Sequence, residues 1–386
     1  MEDKINFSGK LKILSYLLLA LGIVALAVGF FQDPGRAWAN VLLNNYYFIS
    51  LVIGATFFFA IQYITQSGWS AMFRRVPEAI GSFMPVGAIL MLLMLIGLPS
   101  LYEWSHTDAV SADELLQHKS PYLNVPFFII RMIIFTGVWI LFIRLFRKLS
   151  VREDLEGGTD IFNKTEFFSK VFIFVMAITF SLATFDWVMS TEPHWFSTVF
   201  AFRNVVSSFY HASAVITIIV LLLNANGHFK LLNKYHLQDF ARYMFALGII
   251  WAYLWFVEYL LIWFANIPEE TIYFIKRREG DWNILFLANI IINWILPFLI
   301  LLPIKADRSK AVLYLVCTLL IIGQWIDVYL QVMPGTSGAL NIGFVEIGTF
   351  LGFAGLFMFV VARSLASAPL IPKNHPYLEE SMYHQF

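Results

Sequence analysis

Ten long apolar stretches determine what this chain can fold into. Each approaches the roughly 20 residues that an α-helix needs to cross a hydrocarbon core of about 30 Å. A helix also satisfies its backbone hydrogen bonds internally, as a segment in lipid must. The sequence therefore predicts an all-α integral membrane protein with ten transmembrane helices. The predicted spans are residues 11–31, 46–66, 79–98, 125–147, 168–190, 198–223, 239–265, 284–303, 311–332 and 343–363.

The composition supports this class and excludes several others. Of the 386 residues, 59% are hydrophobic and 13% are charged, whereas soluble domains carry about 25% charged residues. A net charge of zero gives no nucleic-acid footprint. The single cysteine, Cys317, excludes a disulfide framework, a CxxCH haem attachment and a cysteine-ligated iron–sulfur cluster within this chain.

Lysine and arginine are distributed unevenly among the predicted connections. Nineteen of the 26 lie in the terminal segments or in every second connection, and five lie in the other connections. Basic residues accumulate in cytoplasmic loops, so both termini are expected in the cytoplasm. The longest connections, 99–124, 148–167 and 266–283, are too short to be domains. We therefore predict one polytopic membrane domain, residues 1–370, and a polar cytoplasmic tail, residues 371–386, that lies along a partner or the membrane face.

Several ionisable residues fall inside or at the edge of the predicted spans. Such groups are costly in lipid and usually face a protein interior or a water path. Arg203, Ser207 and His211 share one helical face, and Gln324, Asp327 and Gln331 share another. Counted along each helix, the ionisable groups lie in the outer half of the membrane. They are Arg131, Asp186, Arg203, His211, Glu258, Asp327 and, in the first turn of its span, Glu346.

We interpret these residues as an outward-opening polar chamber that passes protons, with structural ion pairs as the alternative. Burial raises the pKa of a carboxylate and a nearby arginine lowers it, so carboxylates that share arginines are tuned near neutral pH. In the segment TFDWVMSTEPHWFS (residues 184–197), Asp186 is the expected inner proton-binding residue. Glu192 and His194 are then the residues at which protons are expected to leave the chamber.

The segment QYITQSGWSAMFRRVPEAIGSFMP (residues 62–85) is the other unusual stretch. Arg74, Arg75 and Glu78 form either an ordinary positive-inside loop or a cytoplasmic proton entry or lipid-headgroup site. A membrane cytochrome b is not expected, because haem needs paired axial histidines and only His211 lies inside a predicted span. No catalytic, cofactor-binding or metal-binding motif is visible.

Three segments carry a family resemblance: QSGWSAMFRRVPEAIG (66–81), TFDWVMSTEPHWFSTVFAFRN (184–204) and PKNHPYLEES (372–381). With the ten spans, they resemble the ActF membrane subunits of alternative complex III, a bacterial quinol:cytochrome c oxidoreductase. These subunits belong to the NrfD or polysulfide-reductase membrane-subunit family. The resemblance covers essentially the whole chain.

The resemblance implies an NrfD-like pair of four-helix bundles with flanking helices in the bacterial cytoplasmic (inner) membrane. It implies a respiratory electron-transport subunit without its own redox cofactor, which supports assembly and proton translocation and is not catalytic alone. Its expected partners are an ActC-like paralogue, iron–sulfur and c-type cytochrome subunits that hold the clusters and haem c, a terminal oxidase, and phospholipids. The implied relay residues are Asp186, His194, Arg203, His211, Glu258 and Asp327.

Three alternatives stay open at this point. The chain itself binds quinol, with His211 or Asp186 accepting the quinol protons. It is a stand-alone secondary transporter, although its prolines cluster at span ends except Pro85 and Pro297. Or it is a scaffold in which the buried charges only fix helix register.

Overall fold

The computed structural model describes Ile5 and residues 7–385. In this part of the chain there is no β-strand, and ten helices are long and apolar enough to cross a membrane, as predicted. Lys4 and Phe386, which the orientation and tail predictions include, lie outside the described residues. The ten helices are α1 (Gly9–Gln32), α2 (Pro34–Ile64), α3 (Ala71–Leu101), α4 (Val125–Glu156), α5 (Thr159–Thr191), α6 (Thr198–Ala225), α7 (Lys234–Ala265), α8 (Trp282–Leu301), α9 (Lys310–Thr336) and α10 (Phe344–Leu365).

The helices form two groups of four and a flanking pair. Helices α2 to α5 pack in a ring, helices α6 to α9 pack in a second ring, and α2 against α6 is the main contact between the rings. The flanking helices α1 and α10 pack along each other. We call the end of the bundle where α1 begins and α10 ends the terminal face, and the opposite end the distal face.

Helix α2 begins much earlier than the predicted span 46–66. Asp33 caps it by accepting a hydrogen bond from the backbone N–H of Arg36 at 3.1 Å, and Pro34 occupies the first turn, where its missing N–H costs nothing. The first turns contain Asn40 and Asn44, and their low hydropathy excludes this part of the helix from the predicted span. Both are fully buried among protein side chains rather than in lipid, so their polarity does not end the helix.

The prediction of a long connection at the terminal face, residues 148–167, is wrong. Helix α4 continues to Glu156 and α5 begins at Thr159, so the connection consists of Gly157 and Gly158, with φ of 66° and 78°. Glycine adopts this left-handed region without a steric penalty. The polar end of α4 stays helical because its carboxylates bind arginines of α3.

The two long distal connections contain short helices of their own. The first holds Thr107–Ala112 and Glu114–Lys119, and the second holds Pro268–Arg278. We call Pro268–Arg278 the cap helix. It begins with Pro268 and two glutamates and ends with three basic residues, which suits the helix dipole at both ends.

Two spanning helices are interrupted near the middle of the bundle. Helix α3 is divided into shorter segments, one of which begins at Met84 with Pro85 in its first turn. Helix α8 contains a π-helical turn at Ile291–Ile295 just before Pro297. Pro297 has no N–H to donate to the carbonyl of Asn293, and the hydroxyl of Tyr210 donates to that carbonyl instead, at 2.9 Å.

The C-terminal tail packs on the terminal face of its own chain, which the sequence did not predict. The side-chain amide of Asn374 donates to the carbonyl of Asp154 at 2.9 Å. Ser381 Oγ donates to the carbonyl of Trp69 at 2.8 Å, and the carbonyl of Ser381 lies 2.9 Å from Nε2 of His236. The tail therefore contacts helices of both groups.

Candidate functional site

The second group of helices encloses an ion pair between α6 and α7. Arg203 Nη1 lies 2.8 Å from Glu258 Oε2, and both residues are at most 3% exposed. The approach is close but poorly aligned, so neither carboxylate oxygen makes a hydrogen bond of standard geometry within the described residues. Glu258 is therefore held mainly by the charge of Arg203, with a side-chain contact from Ser197 just before α6.

Arg203 begins a polar face on α6, as its spacing with Ser207 and His211 predicts. Arg203 Nε, Ser207 Oγ and His211 Nε2 are buried, and none has a hydrogen-bond partner among the described residues. The ring of His211 packs on that of Tyr47, with 4.3 Å between ring centroids. An unpaired buried polar atom costs about 1–3 kcal/mol, and buried water commonly satisfies such atoms. Water bound along this face would satisfy these atoms.

A chain of side-chain hydrogen bonds joins α8 and α9 beside that pair. Asp327 accepts from the amides of Asn289 at 2.9 Å and Gln331 at 3.0 Å. Asn293 donates to Asn289 Oδ1 at 2.6 Å and accepts from Gln324 at 2.8 Å. All five residues are at most 3% exposed. The chain runs from near the distal end of α9 to its middle, and we call it the amide chain.

The packing of α8 on α9 leaves room for this chain at one glycine. A Cβ atom added to Gly323 would lie 2.6 Å from Asn293 Oδ1, which is too close for any other residue without movement of Asn293. The π-helical turn of α8 contains Asn293, and such turns occur frequently at functional sites. The backbone of both helices is therefore shaped around Asn293.

Asp186 and Arg131 form a separate pair in the first group. Arg131 donates to both carboxylate oxygens of Asp186, at 2.6 and 3.1 Å, and its guanidinium lies 3.8 Å from the centroid of the Tyr122 ring. Between the two pairs, Tyr46 donates to Asn204 Oδ1 at 3.1 Å. The predicted row of carboxylates that share arginines is thus divided, because each arginine pairs with its own acid.

Glu346 binds groups at the distal end of α2 rather than the other acids. Arg36 binds its two oxygens at 2.7 Å each, and Asn40 and the backbone N–H of Gly343 add hydrogen bonds at 3.1 and 2.9 Å. Its carboxylate is fully satisfied, so the geometry is that of a link between α10 and α2.

The proposed exit residues lie at the distal face in different surroundings. Glu192 is mostly buried and accepts a hydrogen bond from Arg277 of the cap helix at 2.6 Å. His194 is exposed, and its Nε2 lies 2.6 Å from Asp113 Oδ2. The hydrogen bond from His194 lowers the pKa of the Asp113 carboxyl. Glu192 therefore lies at the mouth of the second group, and His194 lies on the surface.

Arg74, Arg75 and Glu78 are buried in an ionic cluster at the terminal face. The three are 5%, 2% and 8% exposed, so they do not form an exposed loop. Arg75 and Arg147 each donate to Glu78 Oε2, at 2.8 and 2.7 Å.

Two acids near the end of α4 complete this cluster. Glu153 binds Arg74, and Asp154 binds Arg74 and Arg75. We call the six residues the terminal cluster: Arg74, Arg75, Glu78, Arg147, Glu153 and Asp154. Three positive and three negative side chains balance, which leaves little charge to attract a lipid headgroup.

The structure thus brings Arg203, Glu258 and Asp327 to one group of helices, with His211 deeper on the same side of α6. Sequence reasoning did not single out Asn289, Asn293 or Arg277. The two asparagines are four residues apart in an apolar segment, and this spacing indicates a polar helical face. Nothing in the sequence distinguishes Arg277, because it is one of three adjacent basic residues in a connection.

No metal centre is formed by the residues that the structure describes, since no three His, Cys, Asp or Glu side chains are grouped to hold an ion. A comparison with known protein families finds no matching family model, and a comparison with curated proteins finds no match. The buried polar residues are therefore the features of this chain from which a function can be inferred.

Proposed function

We propose that this chain is a proton-conducting membrane subunit of a quinol-oxidising respiratory complex. One observation carries the proposal: the unpartnered polar face of α6, the Arg203–Glu258 pair and the amide chain lie together in the second group of helices. Buried polar groups without partners are usually functional or water-bound. A scaffold gains nothing from burying Ser207 Oγ and His211 Nε2 without hydrogen-bond partners among the described residues.

In this proposal Glu258 and Asp327 carry protons and the neighbouring residues position them. Asn289 and Gln331 each donate one hydrogen bond to Asp327 and hold its carboxylate in place. Arg203 attracts the Glu258 carboxylate and holds it in position. Water along Ser207 and His211 extends the path to the middle of the membrane, so the path is a half-channel from the distal side.

The resemblance supplies the cellular context of the proposal. The terminal face is cytoplasmic, as the basic residues suggest, and the chain lies in the bacterial cytoplasmic membrane. It is an ActF-type subunit of alternative complex III, and its two groups of helices are the NrfD-like pair of bundles. An ActC-like paralogue, iron–sulfur and c-type cytochrome subunits and a terminal oxidase are its proposed partners, and they hold the haem and clusters.

The association is tested by purifying the tagged chain in mild detergent. We expect iron–sulfur and c-type cytochrome subunits to co-purify, with a haem c peak in the reduced-minus-oxidised spectrum. A colourless protein that is stable alone contradicts the association and favours the second candidate, a secondary transporter. The observation behind that candidate is the interruption of α3 and α8 near mid-membrane, which is common in transporters.

The proton path is tested in the complex reconstituted in liposomes, with the Asp327→Asn variant. Asparagine has nearly the same shape but cannot carry the proton, so we expect an assembled complex with fewer protons moved per electron. Asp108→Asn is the matched control, because Asp108 is an exposed acid of the first distal connection. Normal proton stoichiometry in assembled Asp327→Asn excludes Asp327 from the path.

A further inference from the structure

The cap helix covers the distal mouth of the second group, and Arg277 is the charged residue that it buries there. Arg277 is 2% exposed although it belongs to a run of three basic residues. Its Nε donates to the carbonyl of Leu330 at 2.7 Å, and Nη2 donates to that of Gln331 at 3.2 Å. Arg277 thus binds two backbone carbonyls of α9. One of them belongs to Gln331, whose side chain is the first member of the amide chain.

Two further contacts fix the guanidinium from the sides. Nη2 also donates to Glu192 Oε1 at 2.6 Å, and the guanidinium carbon lies 3.4 Å from the centroid of the Tyr273 ring. Tyr273 in turn stacks on Trp195, with 3.7 Å between centroids and 11° between planes. The cap helix and the segment after α5 therefore meet over the mouth through one aromatic stack and two charged contacts to Glu192. The second of these contacts joins Lys276 Nζ to Glu192 Oε2 at 3.3 Å.

The position of Arg277 is not explained by helix stability alone. Its neighbour Arg278 stays exposed and binds Tyr259 at the surface. Desolvating a guanidinium is expensive, and here it places positive charge between water and the acids Glu258 and Asp327. A fixed positive charge at a mouth repels cations.

We infer that Arg277 is the gate of this path: its contact with Glu192 holds the cap helix over the mouth, and breaking that contact admits water to the face of α6. This inference rests on the proposed function for its purpose. Its geometry, and the test below, concern access to the mouth and not proton movement.

The test measures how fast a buried thiol is reached from the distal side. The reporter is Ser207→Cys, a near-isosteric change on the α6 face, in a Cys317→Ala background that removes the only native cysteine. The purified complex is treated with a small water-soluble methanethiosulfonate. We expect slow labelling with the gate intact, and labelling faster by about tenfold or more in Arg277→Gln and in Glu192→Gln, since each removes one partner of a buried charge pair.

Arg278→Gln is the matched control, because it removes the same charge from the adjacent residue without touching Glu192. Its labelling should equal that of the reporter alone. Fast labelling with Arg277 in place, or parent-like labelling in both gate variants, overturns the inference. So does failure of both variants to assemble, which would make the contact structural. A normal number of protons moved per electron in Asp327→Asn would contradict the proposed function. The labelling result would still be valid, because it measures access to the mouth.

Discussion

Asn293 connects three helices through its side chain and its carbonyl. The side chain binds Asn289 and Gln324, and the carbonyl accepts from Tyr210 because Pro297 cannot donate to it. A single residue therefore joins α8 to α9 and to α6 at mid-membrane.

Replacing Asn293 with leucine should destabilise the protein. The change keeps the volume but leaves the amides of Asn289 and Gln324 without one partner each, at about 1–3 kcal/mol per unpaired group. We expect a lower midpoint of thermal unfolding in detergent. Asn341→Leu is the matched control, since Asn341 is exposed. An equal effect in both variants would show that the amide chain adds nothing to stability.

Sequence reasoning identified the costly residues of the site but not their partners. Arg203, Glu258 and Asp327 stand out because charge in an apolar segment needs a reason. Which acid meets which arginine depends on how each helix is rotated, and a single sequence does not encode this visibly. Asp186 therefore pairs with Arg131, 55 positions away, and not with Arg203, which pairs with Glu258.

At the scale of elements, α1 and α10 depend on very close backbone contact. A Cβ atom added to Gly22 would lie 2.3 Å from the Cα of Gly352. Small residues that let backbones approach are the usual basis of helix association in lipid. The flanking pair is thus held together by shape, and the Glu346–Arg36 link joins the distal end of α10 to α2.

Gly22→Leu should force α1 away from α10. Overpacking of a tight contact costs about 1–3 kcal/mol or more, so we expect a lower unfolding midpoint. Ala20→Leu, on the exposed side of the same helix, should leave the midpoint unchanged. If Gly22→Leu is as stable as Ala20→Leu, the glycine contact is not what holds the pair.

Helix number followed from hydropathy, whereas helix ends did not. Hydropathy reports lipid exposure, so it misses the part of α2 that is polar and buried in protein, and it misses the charged end of α4. The π-helical turn of α8 has a local cause in Pro297, but a proline predicts an interruption and not its geometry.

At the scale of the whole molecule, the tail joins the two groups of helices. His375 lies against the rings of Tyr63 and Phe162, with centroids 5.6 and 5.5 Å apart. Ser381 binds both Trp69 and His236. The sequence showed a polar, proline-interrupted tail but not its docking site, because its partners are more than 140 positions away.

Docking of the tail should weaken in acid. Burial, with a contribution from Arg74, lowers the pKa of His375 from 6.5 to about 2. The docked tail keeps His375 neutral, whereas a released tail binds a proton below pH 6.5. The stability of docking is therefore complete above that pH and falls by about 1.4 kcal/mol per pH unit below it.

Hydrogen exchange of the tail amides at pH 7.5 and 5.5 measures this, after correction for the intrinsic rates. Protection should fall about tenfold more between these pH values in the unaltered chain than in His375→Phe, which keeps an aromatic ring but cannot titrate. Equal losses in both chains would assign the pH dependence to other groups, such as the His384–Asp239 contact.

The balanced charges of the terminal cluster have a consequence for biogenesis. Arg74 and Arg75 are synthesised 79 positions before the acids that neutralise them, Glu153 and Asp154 respectively. Until α4 is made, Glu78 is the acid of this cluster that is available to offset the two arginines. Once α4 is complete, the same charges are withdrawn from solvent into the fold. These two arginines can therefore guide helix insertion only during synthesis, because the finished fold buries them.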